Sequence, residues 1–203
     1  MKTIEKIQAK PIVIDLKGII DIDDDQLYEL CIRNKELRFE RSGEVELMIQ
    51  LPVGSEGGSK ESIIIINLGI WNKKYKLGKV FSSSTGFTLS NGAMRSPDVS
   101  FITHDRWKAL SKEDRKKFAH ICPDFIAELR SESDSIDTLK DKMTEWMDNG
   151  CRLAWLIDPI EEKAYIYRPD KDAETIDSFD AVLSGEDVLP DFELPLSELN
   201  EDD

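Results

Sequence analysis

Two short apolar segments of this 203-residue chain each open on Pro-Asp: Pro97-Asp98-Val99-Ser100-Phe101-Ile102 and Pro123-Asp124-Phe125-Ile126-Ala127-Glu128-Leu129-Arg130. Their β-branched and aromatic residues are those of strands, and carboxylates inside otherwise buried strands need a reason. Side chains alternate between the faces of a strand, so Phe125, Ala127 and Leu129 share one face while Ile126, Glu128 and Arg130 share the other. Asp98 and Glu128 thus fall on neighbouring candidate strands, with Lys142 on the helix that follows. Two carboxylates converging with a lysine are what metal-assisted phosphodiester hydrolysis needs. Oxygen ligands hold Mg2+ or Mn2+, the metal polarises the phosphate and lowers the pKa of water, and the lysine positions the nucleophile or steadies charge. A plainer reading stands beside it: an Asp after Pro at a strand entrance is often a cap or turn residue, and a strand Glu beside an Arg is often a structural ion pair.

Periodicity supplies the elements that must position these groups. Over residues 136–149, Ile136, Leu139, Met143, Trp146 and Met147 fall on one helical arc, and Gly150 is a natural stop. At ~100° per residue, Lys142 lies roughly 40° outside that arc, next to Trp146; its stem can follow the core while its ammonium reaches towards the sheet. Strands over 153–157 and 164–168 follow, joined by a turn at Asp158-Pro159.

Upstream, a weakly alternating N-terminal stretch contains Ile12-Val13-Ile14, and Asp21 to Asp25 offer caps for a helix over 26–33 with Leu27, Leu30 and Cys31 on its apolar stripe. Runs 37–41 and 45–51 around Ser42-Gly43-Glu44 have hairpin spacing. Residues 54–59 read as a Gly-Ser loop. The next segment, 63–77, begins with four isoleucines that would suit a buried strand, but its apolar character continues through Trp71 and Tyr75, beyond strand length, so it reads as a helix. Residues 79–83 and 86–89 are expected to pair as strands, Asn91-Gly92 to turn, and 105–118 to form an exposed helix. Short apolar pieces at Ala181-Val182-Leu183 and Val188-Leu189 precede an acidic tail over 200–203. The length fits one domain with a core over about 26–190.

The net charge of −14, from 41 acidic against 27 basic residues, argues against a sequence-wide attraction to nucleic acid or anionic membrane, so any DNA contact must be local. The basic runs Lys73-Lys74-Lys76-Lys79 and Arg115-Lys116-Lys117 are the candidates for touching a phosphate backbone, although such runs are usually solvated faces. Three cysteines, Cys31, Cys122 and Cys151, lack C-x-x-C spacing. No stretch reaches the ~20 apolar residues of a membrane span, and no signal-like start is present, so a cytoplasmic protein is expected. His104 and His120 read as surface residues, Cys122 as a packed small residue, Ser131 and Ser133 as turn or cap residues, and Trp71, Trp146 and Trp155 as core.

A wider resemblance bears on all of this. From Leu27 to Leu189 the chain resembles a restriction-endonuclease-like family called Uma, the second of that name, within the PD-(D/E)XK nuclease superfamily. The matching residues include Asn34 with Leu37-Arg38-Phe39-Glu40-Arg41, Ser82-Ser83-Ser84-Thr85-Gly86-Phe87, Asn91-Gly92-Ala93, Arg95-Ser96-Pro97-Asp98-Val99, the segment from Pro123 to Ser131, Lys142-Met143, and Trp155-Leu156-Ile157-Asp158-Pro159. Glu132 departs from the pattern, which places a proline there.

The resemblance implies an α/β (α+β) fold, a mixed central β-sheet flanked by helices, with Asp98 and Glu128 as the two metal-binding carboxylates. Arg130 stands where the common motif has lysine, and the family supplies that lysine from the next helix, which points to Lys142. Arginine does not shed its proton at working pH, so Arg130 is expected as a phosphate contact or ion-pair partner. Glu40 is a further, accessory carboxylate. The expected activity is Mg2+- or Mn2+-dependent endonucleolytic hydrolysis of DNA, in a protein that admits a homodimer. The alternatives are a non-cleaving nucleic-acid or protein-interaction module on the same fold, and a carboxylate cluster that serves stability alone.

Overall fold

The computed structural model describes residues 12–200; the earlier part of the N-terminal stretch and the end of the acidic tail lie outside the described residues. Strand β1 (Ile12–Asp15) leads to helix α1 (Asp24–Arg33). That helix is fixed at its start by a capping box in which the Asp23 side chain accepts from the Gln26 N–H and the Gln26 side chain accepts from the Asp23 N–H. The expected hairpin is present as β2 (Arg38–Arg41) and β3 (Glu46–Gln50), followed by α2 (Ser55–Tyr75).

Helix α2 begins within the stretch expected to be a loop. Gly57 and Gly58 weaken a helix, but Glu56 and Lys60 pair at 2.5 Å across the first turn and the Ser62 hydroxyl donates to the Gly58 carbonyl. Ile64, Leu68 and Trp71, on one face, then dock the helix into the core.

Next come β4 (Gly78–Ser82), β5 (Phe87–Thr88), β6 (Met94–Arg95) and β7 (Val99–Thr103). The expected pairing of the first two is not made: β4 joins β7, whereas β5 pairs with β6 and with β8 (Ala119–His120). The turn after Ser82 sends the chain out of one sheet and into another. The long exposed helix expected over 105–118 is only a short α3 (His104–Ala109) and a 3-10 turn, Asp114–Lys116. Ser111 breaks it, because its hydroxyl accepts from the Asp114 N–H and donates to the Asp114 carboxylate, an alternative to continuing the helix.

Strand β9 (Phe125–Leu129), helix α4 (Ile136–Asp148), β10 (Leu153–Asp158) and β11 (Lys163–Tyr167) follow as expected, and Gly150, at φ 96°, takes the left-handed conformation beyond the end of α4. Three short strands complete the chain: β12 (Glu174–Ile176), β13 (Val182–Ser184) and β14 (Glu193–Pro195). Val188-Leu189 is buried but not a strand.

Two six-stranded sheets result, in the orders β12-β11-β10-β9-β7-β4 and β1-β3-β2-β6-β5-β8. The first is mixed: β9 and β10 are parallel, and their outer neighbours run antiparallel. One of its faces, with Val99, Phe101, Phe125, Ala127 and Trp155, is covered by α2 and by the C-terminal segment from Phe179 to Leu199. The other, with Ile102, Ile126, Ala154 and Leu156, is covered by Met143 and Trp146 of α4. The second sheet packs its own small core around Leu27, Phe39, Leu47 and Met94. His120 ties α1 to it, its ring held between Asp24 at 2.9 Å and Asp114 at 3.2 Å. No helix among the described residues is long and apolar enough to cross a membrane.

Candidate active site

Strands β7 and β9 pair antiparallel, with Val99 opposite Ala127 and Ser100 opposite Ile126. Continued by one residue, this register puts Asp98 opposite Glu128, and directly opposed residues point to the same face of a sheet. That face carries Ile102 and Ile126 and lies under α4. Asp98 stands just outside the regular ladder, where its Oδ2 accepts the Leu129 N–H at 2.8 Å. It closes the end of the strand pair while its Oδ1 has no hydrogen-bond partner among the described residues.

Helix α4 brings two donors to Glu128. The Lys142 Nζ lies 2.9 Å from Glu128 Oε1, and the Trp146 Nε1–H, one turn on, donates to the same oxygen at 3.1 Å. The apolar stripe that buries Met143 and Trp146 sets this orientation. The second sheet closes the site from the opposite side with Glu40 of β2 and Arg95 of β6. Glu40 Oε1 is 3.4 Å from Lys142 Nζ and accepts the Ser96 N–H at 3.0 Å, and its Oε2 is 3.3 Å from Arg95. Arg95 Nε in turn meets Glu145 of α4 at 2.6 Å. Charges therefore alternate from Glu145 through Arg95, Glu40 and Lys142 to Glu128.

Burial decides how these groups titrate. Loss of solvent, followed by the neighbouring Glu128 charge, pushes the Asp98 carboxyl up to about 8, against the Leu129 N–H and Lys142, which favour the anion. Burial raises Glu128 as well, outweighing Lys142. For Glu40 the balance is reversed: burial opposes the charge, but Lys142, Arg95 and the Ser96 N–H hold its carboxyl below the usual range. Burial also works against the Lys142 ammonium, yet Glu128 and Glu40 together raise its pKa, so it stays a cation. A lysine held in this way can orient and neutralise an anion but cannot accept a proton near neutral pH.

Asp98, Glu128, Lys142 and Glu40 are thus brought together. Arg130 is turned aside: its guanidinium meets the buried carboxylate of Asp158, at the end of β10, at 2.6 Å. It takes the ion-pair role. Among the described residues no three His, Cys, Asp or Glu side chains form a metal-holding group, and both oxygens of Glu40 are taken by Arg95, Ser96 and Lys142. Asp98 and Glu128, each with one oxygen free of such partners, are the pair able to accept a cation.

Arg95, Glu145 and the indole N–H of Trp146 belong to the site and escaped sequence reasoning. Glu145 and Trp146 follow Lys142 by three and four residues, helical neighbour spacing, which was the available signal. The basic run at the end of α2 lies away from the site. Gly78, just after it, pairs with Thr103, whereas the carboxylates lie beyond Ser82 and Val99 at the other end of the same strand pair.

A family model described as "Putative restriction endonuclease", Uma2, matches residues 24–197. The chain belongs to the Uma2 family. All the site residues named above fall inside the Uma2 match. Among solved structures, the chain is similar to a crystal structure from Anabaena variabilis titled as a putative nuclease belonging to DUF820. The two share 22% identity with a TM-score of 0.68, over 81% of this chain and 90% of that one. This likeness supports the restriction-endonuclease-like mixed sheet on which the Uma2 chain sets its carboxylates. No curated protein matches the chain.

Proposed function

We propose that this Uma2 protein is an endonuclease that hydrolyses DNA phosphodiester bonds with a divalent cation, Mg2+ or Mn2+. The observation that carries the reading is the cross-strand pair Asp98 and Glu128 with the Lys142 ammonium 2.9 Å from Glu128. The donor set suits a small hard cation, since Mg2+ is commonly held by one or two carboxylates and completes its shell with water and substrate oxygens. When bound, such a cation polarises the phosphate and makes water more acidic.

The chain's own residues do the rest. Asp98 and Glu128 would supply the ligand oxygens at one edge of the sheet, Asp98 giving up the proton that burial and the Glu128 charge otherwise favour on it. Lys142, kept protonated by Glu128 and Glu40, faces the negative charge that grows on the phosphate in the transition state, where a preorganised cation lowers the barrier. Trp146 and Leu129 hold one oxygen of each carboxylate through their N–H groups, which fixes the orientation of the other.

Plasmid nicking in Mg2+ or Mn2+, with calorimetric titration of the metal, tests the reading. Glu128→Gln keeps the side chain's shape and removes a ligand charge, so both metal affinity and nicking should fall by tenfold or more. A wild-type protein that binds the metal yet nicks neither single- nor double-stranded DNA would favour a non-cleaving module on the nuclease fold.

A further inference from the structure

The cations around the carboxylates are unequal in what they leave unneutralised. Lys142 faces Glu128 and Glu40, Arg95 faces Glu40 and Glu145, and Arg130 faces Asp158. Arg38 differs. Its Nη2–H donates to the neutral backbone carbonyl of Ser83, and among the described residues it has no carboxylate partner. It is also exposed, whereas Lys142 and Arg95 are largely buried, with side-chain exposures of 15% and 12%.

Two constraints fix Arg38 beside the site. Along β2 it precedes Glu40 by two residues in an unbroken register, with Arg38 opposite Gln50 and Glu40 opposite Met48, so both project from the same face. Its guanidinium is meanwhile tied to Ser83, the residue after Ser82, and Ser82 pairs with Val99 next to Asp98. One end of the arginine is therefore anchored to the strand that supplies Glu40, and the other to the turn alongside Asp98. A guanidinium has five N–H donors in a planar fork, and a carbonyl occupies only part of that capacity.

We propose that Arg38 is a phosphate-binding subsite at the mouth of the centre, taking the oxygens of a backbone phosphate next to the one hydrolysed. The proposal rests on the nuclease reading and gives it a substrate-holding residue. A chain of net charge −14 has to supply such a local cation, since its overall field repels a polyanion. The Ser83 carbonyl pre-orders the fork without cancelling its charge, which reduces the entropy lost when a phosphate arrives. Contact with a phosphate carries no base information, so the subsite would hold DNA of any sequence.

The test is binding of a fluorescein-labelled DNA duplex followed by anisotropy across a salt series, together with nicking kinetics, for wild type, Arg38→Gln and Arg38→Lys. Arg38→Gln should weaken duplex binding roughly tenfold, as expected for loss of a charged hydrogen bond, and lower the slope of log affinity against log salt by about one. KM should rise while kcat at saturating DNA and calorimetric metal affinity stay within about twofold. Arg38→Lys restores the salt slope but only part of the affinity, because an ammonium lacks the fork. Should the glutamine variant melt early, the lysine variant, which can still donate to Ser83, decides on the same readouts. Unchanged affinity, slope and KM in a variant of an active enzyme would overturn the role of Arg38 alone. A wild-type protein that neither binds nor nicks the duplex in Mg2+ or Mn2+ would overturn the nuclease reading and the subsite with it.

Discussion

Lys142 and Trp146 both converge on Oε1 of Glu128, at 2.9 and 3.1 Å. With both donors on one oxygen, the other is left without a protein hydrogen bond, which is the arrangement a carboxylate needs if it is to hold an ion and keep its orientation. The pairing also makes Lys142 part of the fold. Its ammonium is the cation paired with Glu128 and, together with Arg95, with Glu40, and both carboxylates are almost fully buried.

Lys142→Ala should accordingly do two things. On the proposed nuclease reading it removes the cation that faces the transition state, so nicking should fall by at least 100-fold, and it leaves two buried carboxylates without their shared partner, at a cost of about 3–5 kcal/mol. Lys142→Arg keeps the charge and should recover much of the melting temperature but little of the activity, since the wider fork does not fit the place of the ammonium. Thermal melts beside nicking rates separate the effects. Equal melting of wild type and Lys142→Ala would contradict the ion-pair role.

Asp98 gives a pH dependence with a defined sign. Its carboxyl sits at about 8 in the folded chain against an ordinary 3.8, so the folded state holds a proton that the unfolded state has lost. The benefit of holding that proton is full below pH 3.8 and is lost as pH rises towards 8. Asp98→Asn mimics the protonated form. Without divalent ions it should match wild type in acid and melt higher at pH 8, by on the order of 2 kcal/mol or a few degrees. Added Mg2+ should then raise the wild-type melting temperature and leave the variant unmoved. A variant that is less stable than wild type at pH 8 would show that Asp98 acts mainly as a strand cap.

Much of this was legible in the chain because it depends on local periodicity. Strand alternation put Ile126 and Glu128 on one face, and helical spacing put Lys142 beside Trp146; both placements are those of the structure. The isoleucine run folds as a helix, as its length implied. What was hidden depends on docking distant elements. Arg95 reaches Glu145 across 50 residues and Arg38 reaches Ser83 across 45, contacts that exist because the second sheet leans against α4 and the end of β4. The same leaning separates β4 from β5, which hairpin spacing alone would have joined. At the start of α2, packing further along the helix outweighs two glycines, a tertiary effect that local propensity does not contain.

The Glu40 carboxylate links the second sheet to helix α4 through Lys142, and its charge can be tested without reference to DNA. Burial opposes ionisation, but Lys142, Arg95 and the Ser96 N–H hold its carboxyl below the ordinary 4.5. A depressed pKa contributes stability that is present above pH 4.5 and is lost as pH falls through the lower folded value. Glu40→Gln keeps the shape and can still accept from Ser96, but it sets a donor amide between two cations where an anion stood. At pH 7 it should cost about 3–5 kcal/mol, and the gap from wild type should close as pH falls below 4.5. Because both Glu40 oxygens already have protein partners, its Mg2+ affinity per folded molecule should stay within a few-fold of wild type, unlike that of Glu128→Gln. Melting curves from neutral pH into acid, with metal titration of the folded fraction, give both readouts. A stability gap independent of pH would remove the charge from the argument, and a loss of metal binding equal to that of Glu128→Gln would make Glu40 a ligand.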